Sequence, residues 1–387
     1  MKTLRTIVRN NIRQYGMVIA LVSIMLLFQI LSGGILLKPL NITNLILQNS
    51  YILVLAVGML LVIVAGHIDL SVGSVAAFIG AVAAIFMINM KMPFIAAMVL
   101  SLIIGGLIGA WQGFWIAYIR IPAFIVTLGG MLIFRGLTMI VLKGTSLAPF
   151  PTAFTKISSG FIPDLFNNQQ YHIITILIGI ILSVVYIISE LRGRKTKLKY
   201  EFEVLPMKFL IVKMVIIVAA INAFCIILAG YKGIPNVLIL LSLLIAIYAF
   251  ITIKTVAGRH IYALGGNEKA AQLSGVMAQR VLFWVFVNMG VLSALCGLVF
   301  AARLNAATPK AGNGFELDAI AACYIGGASA SGGIGTVIGA IIGGLVMGVM
   351  NNGMSLIGLG VDWQQAIKGI VLLYAVAFDI YTKSKSA

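Results

Sequence analysis

The sequence predicts an all-α membrane protein with about 11 or 12 transmembrane or re-entrant helices. Of its 387 residues, 61% are hydrophobic and only 10% are charged, whereas a soluble domain carries about 25% charged residues. The mean hydropathy is +1.11. Most apolar residues fall in runs close to the roughly 20 residues that a helix needs to cross a bilayer. These observations exclude a soluble enzyme, a disordered chain and a protein with a single membrane anchor.

The first predicted helix, about 15–37, follows Lys2, Arg5, Arg9 and Arg13. It resembles the start of a signal peptide but is too long for one and lacks a small-residue cleavage site, so we expect it to be retained. Ten strongly apolar segments follow, at about 49–66, 72–90, 93–119, 124–142, 171–189, 209–230, 236–253, 281–302, 334–350 and 364–381. A weaker segment at about 316–330, rich in Gly, Ala and Ser, either crosses the membrane or re-enters it.

The charge distribution predicts the orientation. The net charge is +17, but the basic residues lie between apolar runs and form no stripe of the kind that binds nucleic acid. If the N-terminus is inside and the weak segment crosses, the inner stretches hold 17 basic residues and the outer ones 7, while Arg135, Lys213 and Lys368 lie within segments. This ratio predicts a multi-pass protein of the cell (inner) membrane with both termini cytoplasmic.

We interpret residues 1–387 as a single transmembrane domain with three long connecting segments. Residues 143–170 form the longest extracytoplasmic loop. The cytoplasmic loop 190–208 is a basic charge run, typical of an anchor on anionic lipid. A second cytoplasmic loop, 254–280, contains a short predicted helix.

The first of three polar breaks within the apolar pattern is Gly66–Ser74. Its Asp69 is costly at membrane depth and needs a buried partner or a watery cavity. Asp69 or Ser71 can cap the helix that follows. The alternative is that this turn lines a pathway for a hydroxyl-rich solute, and His67 as a proton relay is a weaker possibility.

The second break begins at Ile121-Pro122, where the proline suits the first turn of a helix. Thr127 follows, and Arg135 lies near the middle of its segment, too deep to reach water easily. Arg135 therefore needs a carboxylate or carbonyl partner, with Asp69, Glu316 and Asp318 as candidates. It is either half of a structural ion pair or, with Thr127, a gating element.

The third break runs from Gly314 to Gly333. Glu316 and Asp318 open an Ala-rich segment, as the N-terminus of a helix favours, and the pairs Gly326-Gly327 and Gly332-Gly333 then interrupt it. We predict a discontinuous or re-entrant helix of the kind that lines transport sites. Further on, Asn351-Asn352-Gly353 reads as a turn, and Asn351 joins the candidate pathway residues.

No catalytic constellation, metal site or cofactor motif is predicted. Adjacent carboxylates such as Glu316 and Asp318 do not by themselves make an acid–base pair. The cysteines, Cys225, Cys296 and Cys323, have neither metal-ligand nor disulfide spacing and are interpreted as packing residues.

The short helix predicted in loop 254–280 has recognisable ends. Asn267 is a good N-cap, Glu268 suits the positive helix start, Ala271 favours helix and Gly275 can terminate it. Such a helix with a small-residue face suits docking into a groove of another protein. It is equally consistent with an ordinary surface helix.

This loop resembles the cytoplasmic coupling loop of monosaccharide ABC transporter permeases. The same likeness appears in the motifs Ile68–Ser74, Phe124–Leu128 with Arg135-Gly136, and Leu317–Ala322 through Gly327. It extends from about residue 40 to Asp379 and is greatest toward the xylose and multiple-sugar (arabinose, galactose, glucose, xylose) permeases.

The resemblance implies a non-catalytic membrane subunit that pairs as a dimer. A cytoplasmic ATPase would dock on it, and an extracytoplasmic binding protein would deliver the sugar. The sequence has no Gly-Lys-Ser/Thr phosphate loop of its own. The coupling role carries over onto seven residues: Gly265, Gly266, Asn267, Glu268, Ala271, Ser274 and Gly275.

Two other transport mechanisms stay open at this stage. A proton-coupled secondary sugar transporter would use His67, Asp69, Glu316 and Asp318 and would need no ATPase. A passive channel would let sugar equilibrate without accumulating.

Overall fold

The computed structural model describes residues 12–166, 171–202 and 204–384, and in this part of the chain it confirms the all-α prediction. The only β-structure there is a pair of isolated bridges, Leu147–Ala307 and Phe161–Pro235. The basic residues Lys2, Arg5, Arg9 and Lys385, which contribute to the predicted orientation, lie outside the described residues.

Fifteen α-helices are present in the described residues, and their bounds are as follows: α1 Ile12–Leu31, α2 Pro39–Val64, α3 Val72–Ala84 (continued by a π-turn, Ile85–Asn89), α4 Phe94–Ala117, α5 Ala123–Leu142, α6 Thr152–Ser159, α7 Ile173–Lys199, α8 Met207–Ala229, α9 Asn236–Lys254, α10 Val256–Gly266, α11 Glu268–Leu273, α12 Ala278–Leu304, α13 Phe315–Ile325, α14 Val337–Leu356 and α15 Val361–Ser384. Nine of these, counting α3 with its π-turn, are long and apolar enough to span a membrane: α2–α5, α7–α9, α12 and α14. The predicted segments at the two ends correspond to α1 and α15, and the weak one to α13.

Helix α2 forms the centre of the fold. Its membrane-spanning window is 89% buried, because α12, α13 and α14 pack around it. By contrast, α7 and α8 pair with each other at the periphery, where only 17% and 11% of their windows are buried. The centre of the fold is therefore enclosed by protein, whereas the rest of the chain leaves most of the α7–α8 hairpin uncovered.

Two predicted helix boundaries differ from the observed ones, and one contact between two buried asparagines accounts for both differences. Helix α2 begins at Pro39 rather than near 49, and α14 continues through Asn351-Asn352-Gly353, so the turn predicted there is wrong. Asn41 and Asn352 are buried and exchange two amide hydrogen bonds of 2.9 and 3.1 Å. Because each amide is satisfied by the other, polar residues that look like breaks are accommodated inside helices.

The predicted loops also contain more helix than expected. Helix α7 extends through Lys199 into the predicted basic loop 190–208, since Arg and Lys favour helix and cations are stabilised near a helix C-terminus. The outer loop 143–170 contains α6, and loop 254–280 contains both α10 and α11.

Residues 305–333 run from one end of the bundle of membrane-spanning helices to the other. Ala307 bridges to Leu147 at one end, and the Gly333 N–H donates to the Val64 carbonyl, at the C-terminus of α2, at the other. Helix α13 has only 11 residues, about 16 Å long, which is short of the roughly 30 Å hydrocarbon core. The predicted discontinuous helix is thus present, and irregular backbone completes the passage.

Candidate transport pathway and coupling site

The three polar breaks meet at one cavity. It has a volume of about 540 Å³ and lies at the end of the molecule where α2 ends and α11 begins. Every break contributes to its wall, as does the coupling loop; representative lining residues are His67, Pro122, Tyr324 and Glu268. Arg120 and Gln279 add further polar groups. The cavity is therefore a mainly apolar recess that contains a few polar groups and is bounded by the segments singled out in the sequence.

His67 projects into this cavity beside the coupling helix. Burial lowers the pKa of its imidazole from the ordinary value, while the nearby Glu268 carboxylate acts in the opposite direction. Since burial has the larger effect, the neutral imidazole, which both donates and accepts hydrogen bonds, is favoured at neutral pH.

The rest of the first break is tied into the protein. The Asp69 carboxylate accepts from the backbone N–H and the hydroxyl of Ser71, at 2.8 and 2.7 Å. The Gln112 amide donates in turn to the Ser71 hydroxyl at 2.8 Å. All three side chains are buried. Of the two predicted caps, it is Asp69 that satisfies an N–H at the start of α3, while Ser71 makes no cap.

Thr127 and Arg135 both bond to backbone carbonyls. The Thr127 hydroxyl is buried and donates to Ala123 of its own helix at 2.8 Å. Arg135 donates to Ala311 at 2.7 Å, and among the described residues it forms no ion pair with a carboxylate. The partner of Arg135 is thus the loop before α13, because the turn at Gly312 and Gly314 presents its carbonyls there.

Asp318 binds α13 to two other helices. One carboxylate oxygen lies 3.0 Å from Lys368 Nζ in α15, and the other accepts from the Tyr51 hydroxyl of α2 at 2.6 Å. Phe315 stacks on the Tyr51 ring with 3.8 Å between centroids. Buried Glu316 keeps one oxygen, Oε2, without a hydrogen-bond partner in the described residues. The sequence reasoning missed Tyr51 and the Lys368 pairing, although Lys368 stood out as a charge inside an apolar segment.

None of the seven predicted pathway or gating residues lines the cavity itself. These residues are Asp69, Ser71, Thr127, Arg135, Glu316, Asp318 and Asn351. The first four bond to the protein as described, and the Oδ1 atom of Asn351 is buried without a partner in the described residues. Of the seven, Ser71, Arg135 and Asp318 make side-chain contacts that join separate elements of the fold.

The predicted coupling helix is present with the predicted ends. The Asn267 side chain accepts from the Ala270 N–H at 3.0 Å, which confirms the N-cap, and Gly275 follows the helix with φ +85°. Glu268 and Ser274 are exposed, whereas Ala271 is only 5% exposed and packs inward. Leu273 is 91% exposed. Its only sequence signal was that it is the single large apolar residue of a six-residue helix.

A backbone junction connects the coupling loop to the core. A Cβ atom at Gly265 would lie 1.6 Å from the Val64 carbonyl oxygen, the same oxygen that accepts from Gly333. Gly333 in turn approaches Gly266 closely. The Tyr262 hydroxyl donates to the Gly335 carbonyl at 2.7 Å. We call this contact of Gly265 and Gly266 with Val64 and Gly333 the glycine junction; it links α10 and α11 to α2 and to the third break.

Comparison with known proteins places this architecture among transport permeases. A family model described as "branched-chain amino acid transport system / permease component" matches residues 41–376. The xylose transport system permease protein of Escherichia coli K12 is 37% identical over 97% of this chain and 94% of that protein. Its counterpart in Haemophilus influenzae is also 37% identical, over 97% and 98%. The ribose import permease protein of E. coli K12 is 34% identical over 88% and 85%. No solved structure matches the chain.

Proposed function

The chain belongs to this family of transport-system permease components, and on that premise we propose that it is the membrane subunit of an ATP-driven ABC importer of monosaccharides. The family description mentions branched-chain amino acids, but the relatives that match along nearly their whole length are named for xylose and ribose. This likeness supports a sugar cargo, among xylose, arabinose, galactose and glucose, and it favours the ABC importer over a proton-coupled transporter.

The partners follow from the same proposal. The chain forms a homodimer in the inner membrane with both termini in the cytoplasm. A separate ATPase subunit docks on α11 and hydrolyses ATP, while this chain carries out no catalysis and holds no cofactor. An extracytoplasmic binding protein delivers sugar on the side of residues 143–170.

The observation that carries the proposal is the meeting of the three breaks and the coupling loop at one cavity. A sugar needs hydrogen-bond partners for its hydroxyl groups during passage; His67, Arg120, Glu268 and Gln279 provide them at the cytoplasmic mouth. Glu268 belongs both to this wall and to the docking helix. Movement of a docked ATPase would therefore change the cavity directly, and through the glycine junction would reach the third break.

Uptake into proteoliposomes tests the proposal. Labelled xylose, arabinose, galactose and glucose are added outside vesicles that contain this chain and enclose ATP. The ATPase, on the inside, and the binding protein, on the outside, are each present or omitted. We expect accumulation only when both partners and ATP are present. Accumulation by this chain alone under a pH gradient would contradict the proposal and favour proton coupling.

Substitutions on the coupling helix are expected to abolish ATPase docking while leaving membrane insertion intact. Glu268→Arg reverses the charge at the helix start, and Gly275→Trp places a large side chain where φ is +85°. Leu273→Asp removes the exposed apolar anchor, and we expect it to weaken docking at least about tenfold, since burying a leucine is worth about 2 kcal/mol. Capture of the ATPase by the tagged permease measures all three.

The matched control for docking is Lys199→Ala. Lys199 is exposed on the same side of the protein but belongs to the peripheral α7–α8 hairpin, so capture should stay at the wild-type level. Undiminished ATPase capture by the coupling-helix variants would place the docking surface elsewhere.

A further inference from the structure

A second recess lies beside the coupling loop and is open at the protein surface. It has a volume of about 370 Å³ and lies between the end of α9, α10 and the start of α12. Its wall is mainly apolar, with Ile251 and Val285 among its members, so it does not suit a sugar. We call this recess the lateral groove.

The polar groups of the lateral groove are arranged by depth. Arg280, Trp284 and Asn288 follow one another at intervals of four on one face of α12, which spans about 12 Å along the helix axis. Arg280 is exposed at the coupling-loop end, and His260 of α10 also lines the groove. Trp284 is 64% exposed, one turn further in. A basic group followed by a tryptophan is the order expected from headgroup level to the edge of the hydrocarbon.

Asn288, the groove residue of α12 furthest from Arg280, has a side-chain N–H group that is free to donate a hydrogen bond. The Tyr248 hydroxyl donates to Asn288 Oδ1. The amide nitrogen of Asn288 is buried and has no acceptor among the described residues. An unsatisfied amide of this kind in an apolar wall is costly, and an acceptor on a bound molecule would satisfy it.

Charge completes the description of the occupant. In the described part of the chain no carboxylate pairs with Arg280, since the ion pairs there are Lys213–Glu190 and Lys368–Asp318. The occupant must have an anionic group at one end and an apolar body that lies along Trp284 and Ile251. Because α12 is long and apolar enough to span a membrane, a molecule in the bilayer could reach the groove. We propose that the lateral groove binds an anionic phospholipid of the cytoplasmic leaflet, with its phosphate at Arg280 and His260 and an acyl chain along α12.

Fluorescence quenching by lipids with brominated acyl chains tests this site on the full-length chain in vesicles. A variant that retains Trp284 as its single tryptophan (Trp111→Phe, Trp115→Phe, Trp363→Phe) is titrated with brominated phosphatidylglycerol and with brominated phosphatidylcholine. We expect Trp284 to prefer the anionic lipid by about fivefold, the effect of one basic residue near an anionic headgroup. Adding Arg280→Gln should abolish this preference, so that the two lipids quench Trp284 about equally.

The matched control retains Trp111 instead, which is 41% exposed on α4 and lies outside the lateral groove. It should be quenched equally by both lipids. Equal quenching of Trp284 by the two lipids, or a preference that survives Arg280→Gln, would overturn the proposal. Absence of quenching by either lipid would also overturn it and would show that protein, such as a second copy of the chain, covers the groove.

Discussion

Replacing Gly265 by alanine is expected to abolish ATP-driven uptake, to less than about 5% of the wild-type rate. The added methyl group would lie 1.6 Å from the Val64 carbonyl oxygen. Backbone cannot give way as the end of a flexible side chain can, so α10 must move away from the end of α2. That movement opens the glycine junction, through which, in the function proposed above, ATPase motion would reach the third break. Sugar uptake with the ATPase and binding protein present is the measurement.

Gly266→Ala is the control for this prediction. It adds the same methyl group one residue later, where nothing lies within 4 Å, and we expect it to retain at least about half of the wild-type uptake. Both variants are compared for ATPase capture, because Gly265→Ala should still bind the ATPase through the intact α11. Normal uptake by Gly265→Ala would show that the junction does not transmit the motion.

Replacing Asp318 by asparagine should destabilise the fold by about 2–3 kcal/mol, less than the roughly 3–5 kcal/mol expected for a fully buried ion pair, because Lys368 is partly exposed. Asp318 is 3% exposed, and the change leaves Lys368 without its counter-charge. It also weakens the hydrogen bond from Tyr51. Because these contacts connect α13 to α2 and α15, the loss is expected in cooperative unfolding of the core, measured by denaturant titration in mixed micelles.

Two further variants make this prediction specific. Asp318→Asn combined with Lys368→Met removes both charges and should recover part of the lost stability, since no unpaired charge remains. Glu190→Gln breaks the ion pair with Lys213, which is 2.7 Å long but exposed at the periphery, and should cost less than about 1 kcal/mol. Equal losses for Asp318→Asn and Glu190→Gln would contradict the structural role assigned to Asp318.

The features that sequence predicted well are local ones. Asn267 as an N-cap and Gly275 as a terminator depend on residues within one short helix, and the apolar segments depend on composition alone. The contact between Asn41 and Asn352 joins residues 311 apart. With no means of seeing that pairing, the sequence predicted a helix start near 49 and a turn at Asn351-Asn352-Gly353, although the helices include both Asn41 and Asn352.

The candidate site shows the same contrast between local features, which the sequence predicts, and contacts between distant residues, which it does not. Asp69 and Arg135 were recognised as groups that need partners, because burying a charge in a membrane is costly, and Asp318 was a candidate partner for Arg135. Which partner each would find depends on helix packing: Arg135 meets a carbonyl, and Asp318 meets Tyr51 and Lys368. The cavity could not be predicted, since it is the space left between segments that are far apart in the chain.

The most direct test of the proposed pathway is to block the cavity chemically. Gln279 lines it and is exposed, whereas the native cysteines are buried. The variant Gln279→Cys is modified with a bulky water-soluble thiol reagent before reconstitution with the ATPase and binding protein. Lys199→Cys, modified in the same way, serves as the control away from the cavity. If sugar passes through this cavity, modification of the Gln279→Cys variant reduces uptake below about 10% while the control continues to transport; unchanged uptake in both would place the pathway elsewhere.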